Sequence, residues 1–333
     1  MVVAAARHGL PSEVACRLPA ISLTSADAEA VRACCRTDRL SGLLAGAVST
    51  GEVQLAGGDV DAIVDDWHQA LRACVIVEAL LVRTADRLQS LGVRWALTKG
   101  AAVAHLDFPD PSLRCFADVD LVVHPEDWPS VLTALAGEAP QRRAARAFTD
   151  RYGKGETVLV DDMELDLHRR FSVGRFGVRA AMAECFDQLD SVALAGRSIP
   201  ALAPAYRLLH GCFHAALGGN PGLRAGRDVV QIATSHPGHL DEMWVIARRW
   251  NVEAVVARAV LTTWQQLRLV DEHPLAERAR SVTVSPADRR ALDLFARDPR
   301  FRPQALSAWG ALPWRDRLPF VRAAWALARE ARR

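Results

Sequence analysis

Asp118 and Asp120 stand one residue apart in the run Ala117-Asp118-Val119-Asp120-Leu121-Val122-Val123. As a strand, that run sends both carboxylates out of one face, about 6–7 Å apart along the backbone. Two like charges pointing the same way are costly unless they are solvated, paired or holding a cation. A second run, Met163-Glu164-Leu165-Asp166-Leu167-His168, puts Glu164, Asp166 and His168 on one face and Leu165 and Leu167 on the other. If the two runs are neighbouring strands, Asp166 joins Asp118 and Asp120. Three carboxylates suit one or two Mg²⁺ ions, hard cations that take oxygen ligands and substrate phosphates. Two such ions would activate an attacking oxygen and stabilise a leaving one.

Lys99-Gly100 precedes the first run. Of 41 basic residues, only Lys99 and Lys154 are lysine, and both precede a glycine. A coding bias against lysine is the plain explanation. Under such a bias, a retained lysine is one whose compact charge arginine does not replace. Gly100 permits close backbone approach, and a helix after it would offer free N–H groups to a phosphate, with Lys99 as a point charge. The G-x-x-x-x-G-K-[ST] spacing of a P-loop is absent.

The elements that must position these groups follow from periodicity. Residues 25–47 and 60–90 show helical spacing, with Val60, Ile63, Val64, Trp67, Leu71, Cys74 and Val75 as an apolar stripe. The pattern changes at Gly92. Val93 to Leu97 predicts a short strand, followed by Thr98-Lys99-Gly100 and a short helix, then the Pro-rich turn Phe108-Pro109-Asp110-Pro111. His124-Pro125-Glu126-Asp127 predicts a helix start, with acids at the positive end of the dipole. Glu156 to Val160 and Met163 to His168 predict a hairpin, and Ser191 to Pro200 a second one around Ala195-Gly196-Arg197. From Pro204 onward the pattern is helical. The division that results is an N-terminal helical lobe (1–90), a core (91–200) and a C-terminal helical lobe (201–333).

With 333 residues, half of them hydrophobic and 24% charged, the chain can bury a substantial core. The ordinary charged fraction argues against wholesale disorder. No apolar run approaches membrane-helix length, and the N-terminus does not read as a secretory signal. Seven scattered cysteines without C-x-x-C argue against a disulfide framework and for a reducing cytoplasm. Cys34-Cys35 reads as core. Net charge is +2, but residues 248–333 carry a surplus of eight positive charges. Six of nine tryptophans lie between Trp244 and Trp325, among arginines. Aromatics packing a helical lobe account for this best. A nucleic-acid surface is the weaker alternative.

The run Trp95-Ala96-Leu97-Thr98-Lys99-Gly100, then Arg114, then Asp118-Val119-Asp120-Leu121-Val122-Val123 and Leu165-Asp166-Leu167-His168, resembles the uncharacterised bacterial nucleotidyltransferase family, with its pattern LKG…R…D-x-D-L-V…DLH. That family lies within the polymerase-beta-like nucleotidyltransferase superfamily. The resemblance continues through Leu208 to Ala216, Leu223-Arg224 and Asp228, and covers roughly residues 60–235. It implies an α+β fold in which a mixed sheet backed by helices forms a polymerase-beta-like core flanked by helical lobes. It also implies Mg²⁺ or Mn²⁺, an NTP (ATP among them) as co-substrate, and Asp118, Asp120 and Asp166 as catalytic metal ligands. The superfamily's usual Gly-Gly or Gly-Ser loop is here Lys99-Gly100, and the eighteen residues from Gly100 to Asp118 exceed its common spacing. Members often neighbour ribosomal-peptide biosynthesis genes, so the resemblance points to that setting.

The nucleotide-binding set comprises Lys99, Gly100, Arg114, His168, His214 and Arg224. Arg114 either meets a phosphate or braces Asp118. His168 reads as a hydrogen-bonding group behind the ligands, and Glu164 as a solvated edge. His210 and His214 share a helix face, where they line the cleft or pack as core histidines. Arg224 and Asp228, four apart, form a helix salt bridge in the simplest reading. The enzyme reading is NMP transfer from an NTP to a hydroxyl of a small molecule, peptide or protein. The same parts would serve a kinase, or a non-catalytic nucleotide- or peptide-binding module. A membrane is not among the expected partners.

Overall fold

The computed structural model describes residues 1–16, 18–55, 57–136, 148, 151–219, 222–297 and 301–330. Two short strands, β1 (Ile21–Ser22) and β2 (Val53–Gln54), pair in parallel at the N-terminal end. The main sheet comprises β3 (Trp95–Leu97), β4 (Val119–Val123), β5 (Gly155–Val160), β6 (Met163–His168), β7 (Leu189–Leu194) and β8 (Arg197–Leu202). Its order is β5-β6-β4-β3-β8-β7. The β3–β8 and β4–β6 pairs are parallel and the rest antiparallel, so the sheet is mixed and the fold is α+β.

The two hairpins form where turn chemistry predicts them. Asp161 and Asp162 both take positive φ, as do Ala195 and Gly196, the backbone that a two-residue primed turn requires. β4 has five consecutive buried residues, which fits a central strand covered on both faces. It starts at Val119, so Asp118 lies just outside the ladder.

Several boundaries differ from expectation. The stretch read as helical over 25–47 breaks into Ser25–Thr37 and Ser41–Ser49, because Arg39 takes a left-handed φ of 55°. Along Gly57–Ser90, Ile63 and Cys74 are buried but Val75 faces solvent. The buried stripe continues instead through Val77, Leu80, Leu81, Ala85 and Leu88, under the sheet. The helix expected from Pro125 begins at Trp128. The Asp127 carboxylate accepts from the Arg94 N–H and side chain. Cys35 is core, while its neighbour Cys34 is exposed.

One apolar cluster joins the N-terminal helices, through Ala5, Val31 and Leu43, to the helices after Pro204, through Leu208, Val229 and Trp244. A second lies between the sheet and Gly57–Ser90. Three tryptophans of the C-terminal part, Trp244, Trp250 and Trp264, are core. The helix Pro204–Leu217 is fixed by a fully buried ion pair, Arg207 to Asp107, with His236 on the same carboxylate. All seven cysteines are free. Among the described residues, no helix is long and apolar enough to cross a membrane.

Candidate active site

The parallel β4–β6 register pairs Asp120 directly with Asp166, and Val122 with His168. Strand alternation therefore puts Asp120, Asp166 and His168 on one face. One ligand atom from each lies within 4.8 Å of the others, a grouping able to hold a metal ion. Asp118 stands outside that group. Its carboxylate is about one-third exposed and is held by Arg39, Nη1 to Oδ1 at 3.0 Å.

Asp120 is the buried centre. Lys99 Nζ and His168 Nε2 both reach its Oδ1 at 2.6 Å. Burial opposes its charge, but Lys99 and His168 outweigh that and hold the carboxyl well below the ordinary range. Burial and the charge of Lys154 lower His168, which favours the neutral ring, and its Nε2–H donates to the Asp120 carboxylate, which can only accept. Its Nδ1 is then a buried atom without a hydrogen-bond partner. Asp166 is partly exposed and accepts from Thr157 Oγ1 at 2.5 Å.

Lys154 completes the picture, although spacing alone did not assign it to the site. Burial and Lys99 lower its pKa, and Asp120, Asp166 and Asp118 raise it, so its amine lies in the field of all three carboxylates. It lines a cavity of about 150 Å³ together with Thr157, Asp166 and His168. The two lysines of the chain thus converge on one acidic cluster. Their rarity was the signal available in the sequence. Arg39 carried no such signal, being one of many arginines.

At Gly100 the backbone demands glycine, with φ 51° before the helix Ala101–Leu106. A Cβ there would sit 3.4 Å from the Asp118 carbonyl oxygen, an ordinary contact. Space is therefore not the constraint. The turn partly closes on itself, because the Ala102 N–H donates to Lys99 O at 2.9 Å. The Ala102 N–H is therefore not free to meet a phosphate.

The expected Arg224–Asp228 salt bridge does not form. Arg114 takes Asp228 in a buried two-point pair at 2.7 and 2.8 Å, and its Nη1 donates to Cys115 O. Arg114 therefore ties the segment leading to Asp118 to the helix that carries Asp228, with Nε, Nη1 and Nη2 all engaged. Arg224 has no acidic partner among the described residues. Burial and Arg114 lower its pKa, with Arg39 adding to the same effect. His214 is pulled down to about 3 by burial, Lys99 and Arg224. His210 is buried and lowered by burial, Lys99 and His168, with its ring edge against Phe171 at 4.8 Å. Both histidines thus back the site as neutral groups. Glu164 is exposed.

The sequence model of a family described as "uncharacterised nucleotidyltransferase" matches residues 24–266, most of the chain. The chain belongs to this family. This nucleotidyltransferase therefore acts on an NTP, and its acidic cluster lies within the matched region. Among solved structures, it is similar to an antigenic nucleotidyltransferase-like protein from Paracoccidioides brasiliensis. The identity is 15%, over 54% of this chain and 92% of that one, with a TM-score of 0.26. That superposition is too loose to transfer any residue. No curated protein matches the chain.

Proposed function

We propose that this nucleotidyltransferase moves an NMP unit from an NTP to an acceptor hydroxyl, with Mg²⁺ or Mn²⁺ at the carboxylates. The observation that carries the reading is the register pairing of Asp120 with Asp166, with Lys99 on Asp120 and Lys154 lining a cavity beside Asp166. The donor set suits a hard cation. Lys99 and His168 both reach Oδ1 of Asp120, and Asp118 and Asp166 are partly exposed. The ion supplies charge neutralisation and polarisation at the phosphates.

The chain's own residues supply the rest. Asp118, Asp120 and Asp166 hold the cation. Lys99, Lys154 and Arg224 meet the triphosphate oxygens as charge-assisted donors. Neutral His168 keeps Asp120 oriented. Asp166 orients the acceptor hydroxyl and takes up its proton. The acceptor oxygen bonds to the α-phosphorus, the bond to the β-phosphate oxygen breaks, and pyrophosphate leaves. Positioning and electrostatics provide most of the rate. A small molecule, peptide or protein is the acceptor we favour, in keeping with the resemblance to a family linked to natural-product and ribosomal-peptide biosynthesis. Nucleic acid remains the less favoured acceptor.

The test uses each α-³²P NTP with Mg²⁺ or Mn²⁺, alone and with candidate acceptors. Label transfer with pyrophosphate release is expected, and its loss in Asp120→Asn. Transfer of γ-label with release of nucleoside diphosphate would make the protein a kinase. Transfer that survives Asp120→Asn would remove the metal role proposed for this residue.

A further inference from the structure

Arg39 reaches the site from the turn between the helices Ser25–Thr37 and Ser41–Ser49. Its backbone is fixed. The Arg39 N–H donates to Arg36 O at 3.2 Å and the Leu40 N–H to Cys35 O at 2.7 Å. The adjacent Asp38 carboxylate accepts from the Leu223 N–H, at the start of the helix that carries Arg224. Its side chain is held far more loosely, by a single bond to Asp118, with 33% of the arginine and 36% of the aspartate exposed. The buried two-point Arg114–Asp228 pair nearby shows what a permanent brace looks like in this molecule. A one-point exposed pair contributes little and exchanges readily.

Arg39 is also not packed in on every side: it lines a cavity of about 300 Å³ together with Arg36, Asp66, Gln69 and Phe116. Arg39 and Arg224 both lie in the field of Asp118, and Asp228 is already committed to Arg114. Two guanidinium groups so placed can take the oxygens of one phosphate.

We propose that Arg39 is an exchangeable counter-ion. It neutralises Asp118 in the free chain and passes to the phosphate oxygens of the nucleotide when substrate binds, which frees the Asp118 carboxylate for the accompanying metal. This inference rests on the nucleotide reading of the site. It predicts opposite signs for two affinities, because Arg39 competes with metal before substrate arrives and adds to substrate binding afterwards.

The test measures Mn²⁺ binding by electron paramagnetic resonance without nucleotide. Calorimetry then follows binding of the Mn²⁺ complexes of the four α,β-methylene NTP analogues. Both are done for wild type, Arg39→Gln and Arg39→Lys, with folding checked by circular dichroism. Arg39→Gln is expected to bind Mn²⁺ about threefold more tightly and the best analogue about tenfold more weakly. Arg39→Lys keeps the charge but loses the planar fork. It gives smaller shifts of the same signs and decides the matter alone if Arg39→Gln does not fold. A merely structural role would weaken both affinities together, which overturns the proposal, as does an unchanged value for either. If the wild type binds none of the analogues, the nucleotide reading itself fails. If it binds them and the Arg39 variants match it, only the role of Arg39 fails.

Discussion

Asp120 and Asp166 are direct register partners on the parallel strands β4 and β6, so two carboxylates from distant stretches of chain share one face of the sheet. Their surroundings differ. Asp120 is buried beneath Lys99 and His168, whereas Asp166 is partly exposed and bonded to Thr157. Asp166→Asn is therefore expected to abolish Mn²⁺ binding with little loss of stability. Asp120→Asn should lose both, because it strips the partner from Lys99 and His168. Mn²⁺ titration beside urea unfolding separates the two effects. Equal destabilisation by the two substitutions would contradict this assignment.

Replacing His168 tests whether it acts through Asp120. Groups that orient a metal ligand typically contribute about 10- to 100-fold in metal affinity. His168→Gln, which can still donate to Asp120 Oδ1, should retain more Mn²⁺ affinity than His168→Ala. Indistinguishable affinities for the two variants would show that the hydrogen bond is idle.

Lys154 is expected to contribute to nucleotide binding. Lys154→Ala should weaken binding of an NTP analogue about tenfold, the scale of a charge-assisted hydrogen bond. Lys154→Arg should recover this only in part, since a planar fork does not reproduce a compact ammonium. Calorimetry on the three proteins provides the check. An affinity for Lys154→Ala equal to wild type would remove Lys154 from the site.

The buried Arg114–Asp228 pair predicts a stability defect rather than a binding defect. Truncating one member strands a buried charge, typically at a cost of about 3–5 kcal/mol. Arg114→Ala should therefore lower the urea midpoint strongly. If Arg114→Ala instead keeps wild-type stability and loses nucleotide affinity, Arg114 is a phosphate contact after all.

His214 and His210 make folding sensitive to acid. Burial holds both below the ordinary value of 6.5, His214 at about 3. As pH falls below about 6.5, the unfolded chain takes up protons that the folded chain refuses, so folding stability declines. For His214 this decline continues to about pH 3, with a limiting slope of about 1.4 kcal/mol per pH unit. Urea unfolding from pH 7.5 to 4.5 should show the loss, and His214→Asn should flatten it. An identical pH slope in that variant would mean that His214 is not buried in its neutral form.

Much of the architecture and of the site's ingredients could be read in the sequence. Alternation in the run around Asp120 and in the run ending at His168 specified two strands and their polar faces, because side-chain direction in a strand is a local property. The turn residues Asp161-Asp162 and Ala195-Gly196 specified the hairpins for the same reason. The scarcity of lysine singled out Lys99 and Lys154 before any contact was visible.

Pairing across the fold was a different matter. That Arg114 takes Asp228 from Arg224 depends on a contact between residues more than a hundred positions apart. A helix-spacing rule sees only the near neighbour. That Arg39 rather than a strand partner holds Asp118 depends on a left-handed turn that splits two helices and aims one of many arginines at the sheet. Local periodicity fixes which way a side chain leaves its own element. Which opposite charge it then meets is decided by how the elements pack, and only the tertiary structure carries that information.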